Sequence, residues 1–415
     1  MFKKLVLKNG LTVILDQNKK MHHTKASIYV KVGGRDTCFT VDGKEYNMNC
    51  GIAHLLEHYL LEQSIYGNIC ENFSREFIKT NGATSINETF YYLNTVHHFK
   101  RNLIKLLNVV NRPDFNSEKL FLVKKPIIQE IRMSFNEIGK LFENSVIDSV
   151  FETKINDVIL GDERSLDEIS IEGLKFFHET FYRPENQIIT ISGNVDDDII
   201  GIIEKEYQRF EFKNNKVKRS EIVETRNVIS KLNVVHDKTI PEKLLQNNYK
   251  IDLSELTPLE RNKIDYYSDY LYYSNYSKQS EFYNNLIEGK LVMMPINTRF
   301  RPNLVKNKIV FSLTVYTENF DKVIKLMENQ INNLQVSSDS FVRWKNRFII
   351  RGINQYEKPD YKVDNFVSNL LLYDLEQYDT LEFIENLNLD EYQNLIKNID
   401  FSNYSIVIND NEDTY

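Results

Sequence analysis

Gly51-Ile52-Ala53-His54-Leu55-Leu56-Glu57-His58-Tyr59-Leu60-Leu61-Glu62 has apolar flanks and no proline or glycine after its first residue, so it reads as a helix. Residues four apart on a helix share a face, which sets His54 beside His58 with room for one metal ion between them. Glu57 falls near the rim of that face, where a carboxylate can take a proton from water at the ion without ligating it. Leu55 and Leu56 point the other way, toward a core. Two imidazoles and a later carboxylate make a catalytic zinc shell whose fourth position stays open to water, lowering its pKa from about 15.7 towards about 7. That is chemistry suited to peptide hydrolysis. The plain alternative is a pair of ordinary histidines on a core or surface helix.

The third ligand is expected on a helix downstream. Ile127-Ile128-Gln129-Glu130-Ile131-Arg132-Met133 sets Glu130 between Ile127 and Ile131 at helical spacing, a glutamate on the buried side of its row that needs a cation. Glu137, seven residues on, lies on nearly the same face and is the second candidate. Such a shell also suits other divalent ions; Zn2+, one per chain, is the expectation from ligand type.

The chain has 415 residues, 41% of them hydrophobic and 12% aromatic, enough to bury large cores in about two or three domains. Its net charge of -7 offers no basic field for nucleic acid or an anionic membrane. Cys38, Cys50 and Cys70 leave at least one thiol unpaired, and no Cys-x-x-Cys spacing occurs, which fits a reducing, cytoplasmic setting. Lys8, Asn9 and Gly10 interrupt the apolar run at the start, so no signal sequence is expected, and no stretch reaches the ~18 apolar residues of a membrane span.

In chain order, Phe2 to Leu7 and Leu11 to Asp16 read as strands joined by a turn at Asn9-Gly10. Ala26 to Val32 is a third strand, followed by a polar connection through Asp42-Gly43. A second helical stretch runs between 62 and 80 to a turn at Asn81-Gly82-Ala83, and Glu88 to Thr95 is a further strand. Helices are predicted at 100–110, across 118–150 and at 167–181, before a buried strand at Asn186 to Gly193. A polar stretch near 213–219 marks the linker, giving domains 1–212 and 227–415 with 213–226 between them. Beyond it, Thr257-Pro258-Leu259-Glu260 is a capping box opening a helix to about Tyr273. Lys308 to Tyr316 is a strand, Asp321 to Leu334 and Phe341 to Gln355 are helices, and Ser405 to Ile408 is a last strand. Strands mixed with long helices in both halves predict an α+β protein of two similar domains.

The chain resembles the M16 peptidases, the inverted zincins related to pitrilysin, and especially their single-unit bacterial branch. The resemblance covers the first half, in Leu7-Lys8-Asn9-Gly10-Leu11-Thr12-Val13, Val32-Gly33-Gly34-Arg35-Asp36, Gly51 to His58 and Ile127 to Met133, and further on in Phe181-Tyr182-Arg183-Pro184-Glu185-Asn186 and Ser192-Gly193-Asn194. In the second half it rests on Ser280 to Leu291. It implies a zinc metallopeptidase with His54, His58 and Glu130 as ligands and Glu57 as general base. It also implies two similar domains of mixed and antiparallel sheet, forming one half of a clamshell. A homodimer mate or a sister chain would complete the chamber, and a peptide would bind extended along a sheet edge at Gly82, Ala83, Asn87, Thr89 and Tyr91.

Three departures stand out. Only 71 residues separate His58 from Glu130, a few short of the family's gap. Val123 stands where many members carry a supporting glutamate, with Pro126 then kinking or starting the helix. Glu281 stands where an arginine that reaches the substrate carbonyl is usual, though Tyr283, Arg299 and Arg301 lie nearby. The implied activity is therefore an endopeptidase acting on peptides or unfolded segments. The alternatives are a leader-peptide maturation protease working with a sister subunit, or a weakly catalytic scaffold subunit that binds peptides. His22-His23 and His97-His98 are adjacent pairs whose side chains diverge, so neither is expected to hold metal, although His97 or His98 could meet substrate. His178 and His236 read as ordinary, and Asn409 to Asp413 as a solvated acidic tail.

Overall fold

The computed structural model describes residues 2–153, 155, 158–220, 224–356, 358, 361–376 and 379–411. The linker residues Glu221, Ile222 and Val223 and the tail residues Glu412 and Asp413 lie outside the described residues.

The chain forms two compact units. The first comprises Met1–Ser134, Asp157–Glu221 and Lys358–Val367, and the second Phe135–Asn156, Ile222–Glu357 and Ser368–Tyr415. The segment 135–156, which the sequence boundary at 212 groups with the first domain, therefore packs with the second unit.

The first unit holds a six-stranded sheet in the order Lys3–Val6, Thr12–Gln17, Gln187–Gly193, Thr24–Val30, Thr89–Thr95, Lys79–Thr84. Ile188, Ile189 and Ile191 make Gln187–Gly193 apolar on both faces, and it lies buried between two neighbours. The Asn9-Gly10 turn joins the first two strands in the register Lys3 opposite Leu15. Asp42-Gly43 is also a hairpin turn, joining Cys38–Val41 to Lys44–Asn47. Both of its residues have positive φ, the conformation a two-residue hairpin loop demands, and an Asp-Gly pair supplies it. Val217–Arg219, inside the expected linker, pairs with Cys38–Val41 as the third strand of this small sheet.

The helix Ile52–Glu62 lies against the large sheet with Ile52, Ala53, Leu55, Leu56, Tyr59 and Leu60 at most 2% exposed. Each such leucine contributes about 1.5–3 kcal/mol of burial. Gly51 starts the helix at φ 85, and a Cβ there would meet the Leu160 carbonyl oxygen at 2.5 Å, so only glycine fits. Asn81-Gly82-Ala83 is strand rather than turn: Lys79–Thr84 pairs along its length with Thr89–Thr95, and the chain reverses at Ser85 to Glu88 instead. Tertiary pairing here overrides local turn propensity. The stretch expected to be helical across 118–150 is two helices, Ser117–Phe135 and Lys140–Val150, parted at Gly139 with φ 79. Pro126 neither starts nor ends the first of them. It lies on the exposed side, where the carbonyl it leaves without a donor faces water.

The second unit holds five strands in the order Leu232–Val235, Tyr404–Asn409, Leu244–Asp252, Lys308–Tyr316, Asn297–Val305. Leave out Lys3–Val6 and the two large sheets have the same topology. In each, the first pair is parallel, every other pair is antiparallel, and the last strand in sequence sits second in the sheet. The helix Pro258–Asn275, capped by Thr257 and Glu260 as its sequence predicts, takes the place in chain order that Ile52–Glu62 has in the first unit. Among the described residues no helix is long and apolar enough to cross a membrane.

Lys250 is a buried cation of the second unit, its side chain 0% exposed beside a Glu224 side chain at 1%. Its Nζ donates to Glu224 at 2.9 Å, to the Val150 carbonyl at 2.9 Å and to the Asn227 carbonyl at 3.0 Å. Against burial, which would raise it, the Glu152 and Thr153 amides and Lys250 hold the Glu224 carboxyl at about 2. Lys250→Ala strands that carboxylate, and chemical unfolding is expected to show a loss of about 3–5 kcal/mol. The double change Lys250→Met with Glu224→Gln should lose less than the single one. Unfolding of Lys250→Ala at the wild-type midpoint would remove the pair from the account of stability.

Candidate metal centre

The Ile52–Glu62 and Ser117–Phe135 helices and the Lys79–Thr84 strand surround a cleft of about 510 Å³ in the first unit. His54, Glu57 and His58 line it from the first helix, Glu130 from the second, and Asn81, Gly82, Ala83 and Thr84 from the strand. The strand is the outermost of its sheet, so one side of its backbone has no neighbouring strand within the sheet.

The two imidazoles lie 4.6 Å apart between ring centres. Glu130 Oε2 is 3.7 Å from His54 Nε2 and 3.8 Å from His58 Nε2. Those separations are too long for hydrogen bonds. They are close to the ~3.3–3.5 Å that separates ligand atoms placed about 2.0–2.2 Å from one tetrahedral ion. Three donors thus face a common gap without sharing protons, and the residues present fit a divalent cation. Glu130 itself departs from its sequence reading: Ile127 and Ile131 are buried, but the Glu130 side chain is 47% exposed and reaches into the cleft rather than the core. Glu137 lies past the end of that helix and lines a different depression, with Glu143 and Arg299.

The electrostatics separate the two histidines. Burial, and then the charge of His58, lowers His54 to about 4, so its imidazole stays neutral and keeps a lone pair to give. Its Nδ1 is buried without a hydrogen-bond partner among the described residues. Burial lowers His58 too, but the Glu62 hydrogen bond and the charges of Glu57 and Glu130 outweigh it and raise the group. The Glu62 carboxylate lies 2.8 Å from His58 Nδ1, which turns Nε2 toward the gap and raises its basicity. Glu62 was legible in the sequence, four residues after His58 on one helical face, yet the motif alone does not single it out. Val123, the position of the usual supporting glutamate, is fully buried in the core.

Glu57 is 5% exposed, and burial raises it to about 7 against the pull of His58. Thr84 Oγ1 donates to its Oε2 at 3.1 Å. On its other side stands Gly82, where a Cβ would meet Glu57 Oε1 at 2.9 Å. The strand can approach the carboxylate only because this residue has no side chain. Burial also pushes the Cys70 thiol, at the cleft wall, up to about 11, so it stays protonated.

Of the residues expected along the sheet edge, Gly82 and Ala83 line the cleft. Asn87 belongs to the turn that follows the strand. Thr89 and Tyr91 are fully buried: Thr89 Oγ1 donates to the Val32 carbonyl, and the Tyr91 hydroxyl pairs with that of Tyr182 at 2.7 Å. They lie on the buried face of their strand, alternating with the half-buried Phe90 and Tyr92. His178 is a core residue bonded to the Val110 carbonyl, and His97 and His98 are exposed. In the second unit Arg299 and Arg301 both pair with Glu143, and Glu281 lies in the first turn of the helix Glu281–Glu288.

Residues 168–347 match the family model described as the peptidase M16 inactive domain, a stretch that begins after His54, Glu57, His58 and Glu130. Over 402 residues the chain is 25% identical to the uncharacterized zinc protease YmfH of Bacillus subtilis, covering 94% of this chain and 92% of that protein. Its fold is similar to that of an M16-like protein from Alicyclobacillus acidocaldarius, with a TM-score of 0.86 at 20% identity over 98% of this chain and 97% of that one. The periplasmic protease PqqL from Escherichia coli aligns with a TM-score of 0.75 at 13% identity, over 99% of this chain but 48% of that one. A duplicated α+β fold, a near full-length relative and these structural neighbours agree, and the chain is similar to M16 peptidases over almost its whole length.

Proposed function

We propose that the protein is a zinc-dependent endopeptidase, with His54, His58 and Glu130 holding the ion and Glu57 moving the proton. The observation that carries this is the convergence of His54 Nε2, His58 Nε2 and Glu130 Oε2 on one gap, with a buried carboxylate beside it. When bound, the ion supplies Lewis acidity to a peptide carbonyl and acidifies water in the cleft. A peptide extended along the free edge of Lys79–Thr84 passes Gly82, where no side chain separates it from Glu57. Glu57, oriented by the Thr84 hydroxyl, takes the proton as water adds to the carbonyl and returns it to the departing amine. The family name of the relatives, zinc protease, supports the choice of metal.

We also place the chain as one half of a two-half peptidase, because it spans 48% of PqqL and 92% of the separately solved first half of that protein. The mate is a second copy or a sister chain. A second reading, a subunit that holds peptides without cutting them, draws support from Arg299 and Arg301 being engaged with Glu143.

Glu57→Gln decides between the readings. It is expected to keep its metal, measured by elemental analysis, and to lose about 10²–10⁴-fold in cleavage of an unstructured peptide. His54→Ala should lose the metal as well. Equal cleavage by wild type and Glu57→Gln would overturn the mechanism, and no cleavage by either, with metal bound and a mate supplied, would favour the second reading. Gly82→Ala tests the close approach: the added methyl displaces the Glu57 carboxylate, so turnover should fall at least about tenfold while metal content and Tm hold. Unchanged turnover would show that Glu57 need not sit against the strand.

A further inference from the structure

The second unit holds a depression of its own, about 570 Å³, floored by three neighbouring strands and walled by the start of the helix Lys140–Val150 and the residues just before it. On the floor Gln246, Thr314 and Asn297 lie side by side across the strands, next to the pair Leu244 and Tyr316. The wall is pinned: the Gly139 amide donates to the Thr239 hydroxyl at 2.8 Å and the Phe142 amide to the Asp237 carboxylate at 3.1 Å. The start of this helix is therefore capped by the protein itself, and the depression is preformed. Its apolar flank consists of Ile138, Ile240 and Phe142, with Ile138 82% exposed.

Charge is unevenly matched here. Glu143 is the one carboxylate that serves two arginines of the edge strand Asn297–Val305: Arg301, 7% exposed, donates to it at 2.7 Å, and Arg299, 62% exposed, reaches it at 3.2 and 3.3 Å. Arg301 also keeps Nε and Nη1 buried without a hydrogen-bond partner among the described residues. Burial lowers Arg301, Glu143 pulls it back up, and the neighbouring Arg299 lowers it again, so the two guanidinium groups work against each other across a single carboxylate. Lys140, half-buried in the wall, has no ion pair or hydrogen bond for its ammonium among the described residues. Three cations thus meet two carboxylates, Glu143 and the exposed Glu137 at the rim, which leaves one positive charge beside an apolar flank. Convergent polar groups set in an apolar hollow are the makings of a ligand site, and a guanidinium is suited to a carboxylate.

We propose that this depression binds a peptide through a carboxylate next to an apolar side chain, with Arg299 and Lys140 receiving the carboxylate and Ile138, Ile240 and Phe142 the side chain. Arg299 gives up its share of Glu143 in doing so, because Arg301 holds that carboxylate from the buried side. The same chemistry is offered by the C-terminal residue of a peptide and by an internal Asp or Glu beside an aromatic or aliphatic residue. The site lies within the second unit and does not depend on the metal reading: it is a place where a peptide is held, apart from the residues proposed to cut it.

The test titrates the full-length protein, carrying Glu57→Gln so that no peptide is consumed, with three fluorescent Gly/Ser peptides: one ending in Phe as the free acid, the same peptide as its amide, and an amide with an internal Glu-Phe pair. The free acid or the Glu-Phe peptide should bind about tenfold tighter than the plain amide, and whichever does so identifies the source of the carboxylate. Exchanging Phe for Ser in that peptide should weaken binding several-fold. Arg299→Gln together with Lys140→Gln should bring the preference to about one without moving Tm, since Arg301 still holds Glu143, and Arg299→Lys should retain part of it. His54→Ala should leave the preference intact, whereas a carboxylate captured at the metal would lose it there. Equal binding of all three peptides, no loss on exchanging Phe for Ser, a preference that survives the double change, or one abolished by His54→Ala overturns the site. Each of these outcomes leaves the peptidase reading standing, because none of them measures cleavage.

Discussion

The site depends on one close approach, that of a strand backbone to a buried carboxylate. A carboxylate out of water is costly unless something holds it, and Glu57 has the Thr84 hydroxyl on one oxygen and bare glycine backbone beside the other. That approach in turn requires the Ile52–Glu62 helix to lie flat on the sheet, which its buried leucines enforce, and to begin abruptly at Gly51. Helix, strand edge and carboxylate are therefore positioned by the same packing.

The histidines show how neighbours of one helix face acquire different characters. His54 is desolvated and kept neutral, while His58, at the mouth of the cleft, is held by Glu62 and by the surrounding negative charge. Glu130 faces the same gap from a separate helix that remains unbroken through Pro126, anchored by its buried neighbours Ile127 and Ile131.

Much of this was legible beforehand. The helical spacing of His54, Glu57 and His58 is a local property, as are the Asn9-Gly10 hairpin and the Thr257 to Glu260 capping box, and all three appear where their patterns put them. What sequence could not supply depended on partners distant in the chain. Lys79–Thr84 reads as a turn because its strand character comes from Thr89–Thr95 and from the helix beneath it. Thr89 and Tyr91 lie on the neighbouring strand, and only the sheet order shows that they face the core. Glu130 reads in the sequence as a glutamate on the buried side of its row, whereas its side chain is half-exposed and reaches into the cleft from the rim.

The repeated topology has a consequence of its own. The second unit assembles five strands in the same topology and a helix in the corresponding place in chain order, Pro258–Asn275, which has no histidine and whose buried side chains include Tyr267, Tyr270 and Leu271. In the second unit this topology closes around phenols and aliphatics with no such imidazole pair on its helix, unlike small domains that fold only around an ion. The candidate site is a tenant of the scaffold, and the same topology stands in the second unit without it.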